Sequence, residues 1–206
     1  MVRCFKIEAN IMTTTTDLDY TKYWDAGFPF KTYLEDEVEK HRELWRGIYR
    51  THDTPEWAAA RVEETGGPWR LLVIAEDWCG DASNSVPVLA RLAEAASNLE
   101  LKIVKRDANP DLMDAYRTDG SESIPMAIVL DADFEPVGRW GPRPAELQEF
   151  VIGEKRRGER PVAEVYRESR RWYASDGGET TLRELIDVLE AAGRAGRAPP
   201  TARRLQ

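Results

Sequence analysis

Five consecutive apolar residues, Leu71-Leu72-Val73-Ile74-Ala75, constrain this chain more than any other feature. The run has no polar face, so it fits a strand covered on both sides by other elements. Leu101-Lys102-Ile103-Val104 reads as the next strand, and Met126-Ala127-Ile128-Val129-Leu130 as a third, apolar one. Pro136 to Trp140 reads as a short fourth strand after a turn at 131–134. Between the strands, apolar residues return at helical spacing. One helix carries Val86, Leu89, Leu92, Ala93 and Ala96; a short one follows Asn109-Pro110; a third turns Leu147 and Phe150 inward. From residue 69 the order is strand, helix, strand, helix, strand, strand, helix. Strands joined by helices are expected to lie parallel, whereas the Leu130-to-Pro136 link is too short for a crossover and makes an antiparallel hairpin. The fold class is therefore α/β, a mixed β-sheet with helices on both faces.

Helical patterns also flank this core. Residues 1–30 read as irregular, with a turn signal at Gly27-Phe28-Pro29. A helix is expected over 31–50 on the spacing of Leu34, Val38, His41, Trp45 and Ile48, with His41 at the edge of its apolar stripe. A second opens at Pro55 and stops before Gly66-Gly67-Pro68. Two more are expected over 161–174 and 181–192, the last with Thr181 and Glu184 at capping-box spacing. The expected organisation is an N-terminal helical extension (1–66), a core (67–153), a C-terminal helical extension (154–193) and a disordered tail rich in Arg, Pro and Ala (194–206).

The chain has 206 residues, enough for one core with extensions. Its formal charge of -8 repels phosphate backbones, so nucleic acid is not an expected partner. No apolar run approaches the ~20 residues that span a bilayer. Met1 to Asn10 lacks a basic start followed by an apolar stretch, so a cytoplasmic location is expected, with no membrane partner. The two histidines and two cysteines, Cys4 and Cys79, form no metal-ligand spacing, and neither a metal nor another cofactor is expected. A Cys4–Cys79 disulfide is disfavoured in the cytoplasm.

Chemistry converges on Glu76-Asp77-Trp78-Cys79-Gly80-Asp81-Ala82, between the first buried strand and its helix. A helix N-terminus offers unpaired N–H groups and partial positive charge, which favour a thiolate. The neighbouring carboxylates oppose this. Glu76 and Asp77 read as a solvated turn rather than as a general base.

The Trp-Cys-Gly site and the element order resemble thioredoxin. Pro87, Asp107-Ala108-Asn109-Pro110, Ile124-Pro125, Gly141 and the Leu147-to-Phe150 segment are similar to the family's pattern over residues 69–153. The resemblance implies a nucleophilic Cys79 in an active-site loop of Trp78, Gly80, Asp81 and Ala82. It also implies a cis-Pro125 packed on Cys79, with Ile124 and Pro125 binding an extended substrate by strand addition. Two departures matter. Ala82 stands where the family has its second cysteine, and Val73 where it has a buried acid. Asp81 and Ser83 carry no sulfur, so neither resolves a mixed disulfide.

The reading drawn from the sequence is a thioredoxin-like monothiol redox protein. Cys79 would attack a protein or small-molecule disulfide, or accept glutathione, and an external thiol would resolve the adduct. This expects an apparent pKa for Cys79 below the free value of ~8.5. The alternative is a non-catalytic binding or scaffold protein on the same fold, with the outer helices covering a sheet edge or forming a homodimer surface. An iron–sulfur site with glutathione is disfavoured by Asp81-Ala82, where monothiol glutaredoxins have Phe-Ser. A peroxidase site is disfavoured because no arginine adjoins Cys79 in sequence.

Overall fold

A computed structural model describes residues 18–197. The sheet contains β1 (Phe28–Pro29), β2 (Trp69–Ala75), β3 (Leu99–Lys105), β4 (Met126–Leu130) and β5 (Pro136–Trp140), in the order β1-β3-β2-β4-β5. The helices are α1 (Tyr20–Ala26), α2 (Phe30–Thr32) with a following π-turn (Tyr33–Glu37), α3 (Arg42–Thr51), α4 (Glu56–Glu64) and α5 (Gly80–Ala95). They continue with α6 (Pro110–Ala115), α7 (Ala145–Arg157), α8 (Val162–Asp176) and α9 (Glu179–Arg197). Leu71 to Ala75 and all of β4 are buried, so helices cover both faces of the mixed sheet.

β2 and β3 are parallel, with Leu71 opposite Leu101 and Val73 opposite Ile103. β4 corrects the expectation of parallel helix-linked strands. It runs antiparallel to β2, with Leu72 opposite Ile128. The reason is length. The six residues of α6 span about 9 Å, whereas the seven of β3 span about 23 Å. So short a helix cannot return the chain to the far end of the sheet, and β4 starts from the end where β3 stopped.

The expected helix over 31–50 is broken. Val38 is extended and His41 sits in the left-handed region at φ 54°, so the helical path restarts at Arg42. The break is held by Asp77, whose Oδ2 accepts from the Glu39 N–H at 3.0 Å and the Lys40 N–H at 2.7 Å. Those donors would otherwise bond within the helix. Trp45, fully buried, donates from Nε1 to the Asp77 carbonyl at 3.2 Å. His41 thereby leaves the apolar stripe for the rim of the Cys79 cavity.

Residues 18–30 are ordered rather than irregular. Asp19 caps α1 by accepting from the Lys22 N–H, and Tyr20, Tyr23 and Trp24 are buried. β1 then pairs antiparallel with β3, with Phe28 opposite Ile103. At the other end α9 continues past Ala192 to Arg197, so the expected tail begins inside a helix. The rest of that tail, and Cys4, lie outside the described residues.

Leu182, Leu185, Ile186 and Leu189 join α9 to the main core. A smaller cluster of Leu147, Val151, Val165 and Tyr173 joins α7 to α8, separate from that core. α9 passes very close to the end of α4. A Cβ built on Gly193 would lie 2.2 Å from the Thr65 carbonyl oxygen, whereas one on Gly196 meets nothing within 4 Å. Alanine normally favours a helix interior by ~1 kcal/mol over glycine. Gly196→Ala is therefore expected to be neutral or mildly stabilising. Gly193→Ala is expected to cost about 1–3 kcal/mol, because backbone must move. Urea midpoints at unchanged m-value would show the contrast; equal midpoints for the two variants would contradict it.

Candidate functional site

β2 delivers the chain to the start of α5, and Cys79 is the N-cap of that helix. Its backbone is extended, at φ -79° and ψ 117°, and its sulfur accepts from the Ala82 N–H at 3.5 Å. The Sγ–H also donates to the Ile124 carbonyl at 3.4 Å. The Ile124–Pro125 peptide is cis, and both residues are buried. The sulfur thus lies between a helix terminus and the loop leading into β4. Ser83 Oγ turns back to the Cys79 and Gly80 carbonyls, at 3.1 and 3.0 Å. Ala82 and Val73 are fully buried and their side chains are apolar, so apart from the Ala82 backbone N–H neither position brings a polar group to the thiol.

Cys79 is only 8% exposed, while Trp78 is 39% exposed, with the Arg106 guanidinium 4.8 Å from a ring centroid. Burial pushes the Cys79 thiol above its ordinary range, against the Ala82 N–H that lowers it; Asp81 raises it further and Arg143 lowers it. The expected acidified thiol is therefore corrected. Desolvation of the thiolate outweighs the helix terminus, because the sulfur is enclosed rather than set on an open surface.

The expected solvated turn is corrected as well. Glu76 is buried and its Oε1 accepts from the Asp107 N–H at 2.9 Å. Burial pushes this carboxyl up, partly offset by that bond. Asp77 holds the chain break before α3, as described above. Both carboxylates thus fasten the Cys79 loop to neighbouring segments.

Asp81 has the partner that sequence adjacency could not reveal. Arg143, from the segment between β5 and α7, meets it with Nη2 to Oδ2 at 2.5 Å. The side chains are 10% and 14% exposed, respectively. Arg143 Nη1 donates to Gln148 Oε1 at 2.7 Å, while its buried Nε has no partner among the described residues. Tyr173, from α8, donates to Asp81 Oδ1 at 3.2 Å. Burial beside that carboxylate holds the Tyr173 phenol far above its usual range. Asp81 is therefore the junction at which α5, the β5–α7 segment and α8 meet.

A cavity of about 480 Å³ opens on this junction. Trp78, Cys79, Gly80, Asp81 and Ile124 line one side, and His41 and Arg106 stand at it from other segments. α8 supplies Tyr166, Ser169, Arg170 and Tyr173. Of the residues expected at the site, Ala82 and Pro125 underlie it without lining it. Arg143 and the α8 side chains were not among those expected. Arg143 did carry a local signal, since it lies between Pro142 and Pro144 just after a strand. The α8 residues carried none, because only tertiary packing brings that helix to the thiol. Among the described residues, no group of three or more His, Cys, Asp or Glu side chains is arranged to hold a metal ion.

A mixed sheet, a cysteine capping the helix after its central strand and an Ile-Pro loop against the sulfur define a thioredoxin-like protein. Residues 27–160 match the family model described as Thioredoxin, and the chain belongs to that family. The match starts well before residue 67, as expected if β1, through its pairing with β3, is part of the sheet. A crystal structure of a protein of unknown function from Pseudomonas aeruginosa is similar, at 20% identity and a TM-score of 0.65, covering 85% of this chain and 99% of that one. An HIV epitope-scaffold crystal structure is similar at 19% identity and a TM-score of 0.64, covering 84% and 98%. At these identities the likeness is one of fold. No curated protein matches this chain. No helix among the described residues is long and apolar enough to cross a membrane.

The Asp81–Arg143 pair has a checkable consequence. Arg143→Met leaves a buried carboxylate without its cation and is expected to cost about 3–5 kcal/mol. Adding Asp81→Asn to that variant is expected to restore most of the loss. Denaturant unfolding of the two single variants and the double measures the coupling; strict additivity would show that the pair carries none.

Proposed function

We propose that this protein is a monothiol member of the thioredoxin family, in which Cys79 exchanges with disulfides and an external thiol completes the cycle. The observation that supports this most directly is the Cys79 sulfur, set at a helix N-terminus, against the Ile124 carbonyl and beside an accessible cavity. In the first step the Cys79 thiolate attacks one sulfur of a disulfide. The Cys79–S–S–R bond forms, the original S–S bond breaks, and the other half leaves as a thiolate. In the second step an external thiolate attacks the R sulfur, forming a new disulfide and returning Cys79 as a thiolate. The first electron pair is supplied by Cys79 and the second by the external thiol, so Ala82 imposes no deficit.

The resting thiol is protonated. Since its pKa is raised, the reactive fraction at neutral pH is smaller than for a free cysteine, and it grows as pH rises toward and past 9. Arg143 partly offsets the cost of the thiolate. Oxidised glutathione at a series of pH values, read by intact mass, tests this. In a Cys4→Ser background, an added glutathione mass is expected while Cys79 is present and absent once Cys79→Ser is added. Its rate is expected to keep rising with pH throughout the range 7 to 9, in proportion to the thiolate fraction. A rate that levels off below pH 8 would show an acidified thiol instead.

A second reading, a binding module without turnover, is favoured by one observation: Cys79 is nearly enclosed and its thiolate disfavoured. It gains if Cys79 stays unmodified across the whole pH range while the protein remains folded.

A further inference from the structure

The cations around the cavity differ in one respect. Arg143 is committed to Asp81 and Gln148. Arg106 pairs with Asp107 at 2.7 Å and lies over Trp78. Glu122, the other carboxylate in the lining, is held by Arg117 at 2.6 Å. The side chain of Arg170, alone among the lining arginines, has no ion pair or hydrogen bond to any described residue. It projects from α8, the helix that Tyr173 ties to Asp81, so it stands on the wall facing the thiol segment. The charge of Arg143 is balanced by Asp81, although its buried Nε has no partner among the described residues. The local surplus is positive in a chain whose formal charge is -8.

Size points the same way. About 480 Å³ lies within the ~300–1,000 Å³ that small-molecule sites occupy. Strand addition of a protein substrate needs an open edge along its length. Here α8 puts four side chains into the wall.

We propose that the cavity over Cys79 receives a small disulfide or thiol bearing carboxylate groups, and that Arg170 is the residue that docks one of those carboxylates. The inference rests on the exchange reading above. The chemistry is unchanged: Cys79 forms the mixed disulfide, one thiolate leaves, and an external thiol resolves the adduct. What is added is the class of R group.

The test uses the full chain and three disulfides: dithiodiglycolate, which is anionic, bis(2-hydroxyethyl) disulfide, which is neutral, and cystamine, which is cationic. Rates of adduct formation on Cys79, read by intact mass with Cys4→Ser as the common background, are divided by each reagent's rate with N-acetylcysteine amide. Dithiodiglycolate is expected to exceed the neutral reagent by about fivefold, the scale of one solvent-exposed ion pair. Cystamine is expected to be slowest, although the protein's net charge would attract it. Arg170→Ala should collapse the anionic-to-neutral ratio, Arg170→Glu should invert it, and Arg170→Lys should keep most of it. A ratio unchanged in Arg170→Ala, or cystamine reacting fastest, overturns the proposal. Equal normalised rates for all three overturn it while leaving exchange at Cys79 intact. Failure of all three to modify Cys79 at any pH overturns both.

Discussion

Exclusion of water from both faces of β2 is the constraint on which the rest of this structure depends. Leu71, Leu72, Val73 and Ile74 are fully buried, and each such side chain favours the folded state by roughly 1.5–3 kcal/mol. No single neighbour can cover them. β3 and β4 flank the strand edge to edge, and helices close the two faces. Because both faces are covered, polar groups can accumulate only where the strand ends. Glu76, Asp77, Cys79 and Asp81 follow there in quick succession.

The carboxylates in that cluster have different duties. Asp77 interrupts the helical path before α3 and ties the interruption to the thiol loop. Glu76 fastens the same loop to the end of β3. Asp81 joins Arg143 and Tyr173, drawing the β5–α7 segment and α8 to the start of α5. The thiol is thus framed by groups that answer to one another more than to the sulfur. This is why its environment is dominated by desolvation rather than by one charge.

Much of the sheet was legible because β2 and β4 contain uninterrupted apolar runs, β3 is rich in branched apolar residues, and β5 follows a turn. The direction of β4 was not, since strand sense depends on the length of a connection rather than its composition. α1 was overlooked although Tyr20, Tyr23 and Trp24 have helical spacing; the aromatic residues there read as mixed composition. The break at 38–41 was invisible because its cause, Asp77, lies far along the chain. Cys79, Trp78 and Ile124-Pro125 could be named because local motifs mark them. Arg143 and Arg170 belong to the site only through the packing of α7 on α8 and the bond between Tyr173 and Asp81.

The small cluster of Leu147, Val151, Val165 and Tyr173 gives the protein a second, separate store of cohesion. Since α8 packs chiefly within that cluster, its position over the sulfur is governed by a modest local free energy, not by the stability of the whole fold. The chemical accessibility of Cys79 therefore acts as a gauge of packing between two helices that lie outside the main core. A change in the packing of α7 against α8 would thus alter access to the sulfur with no change in the sheet beneath.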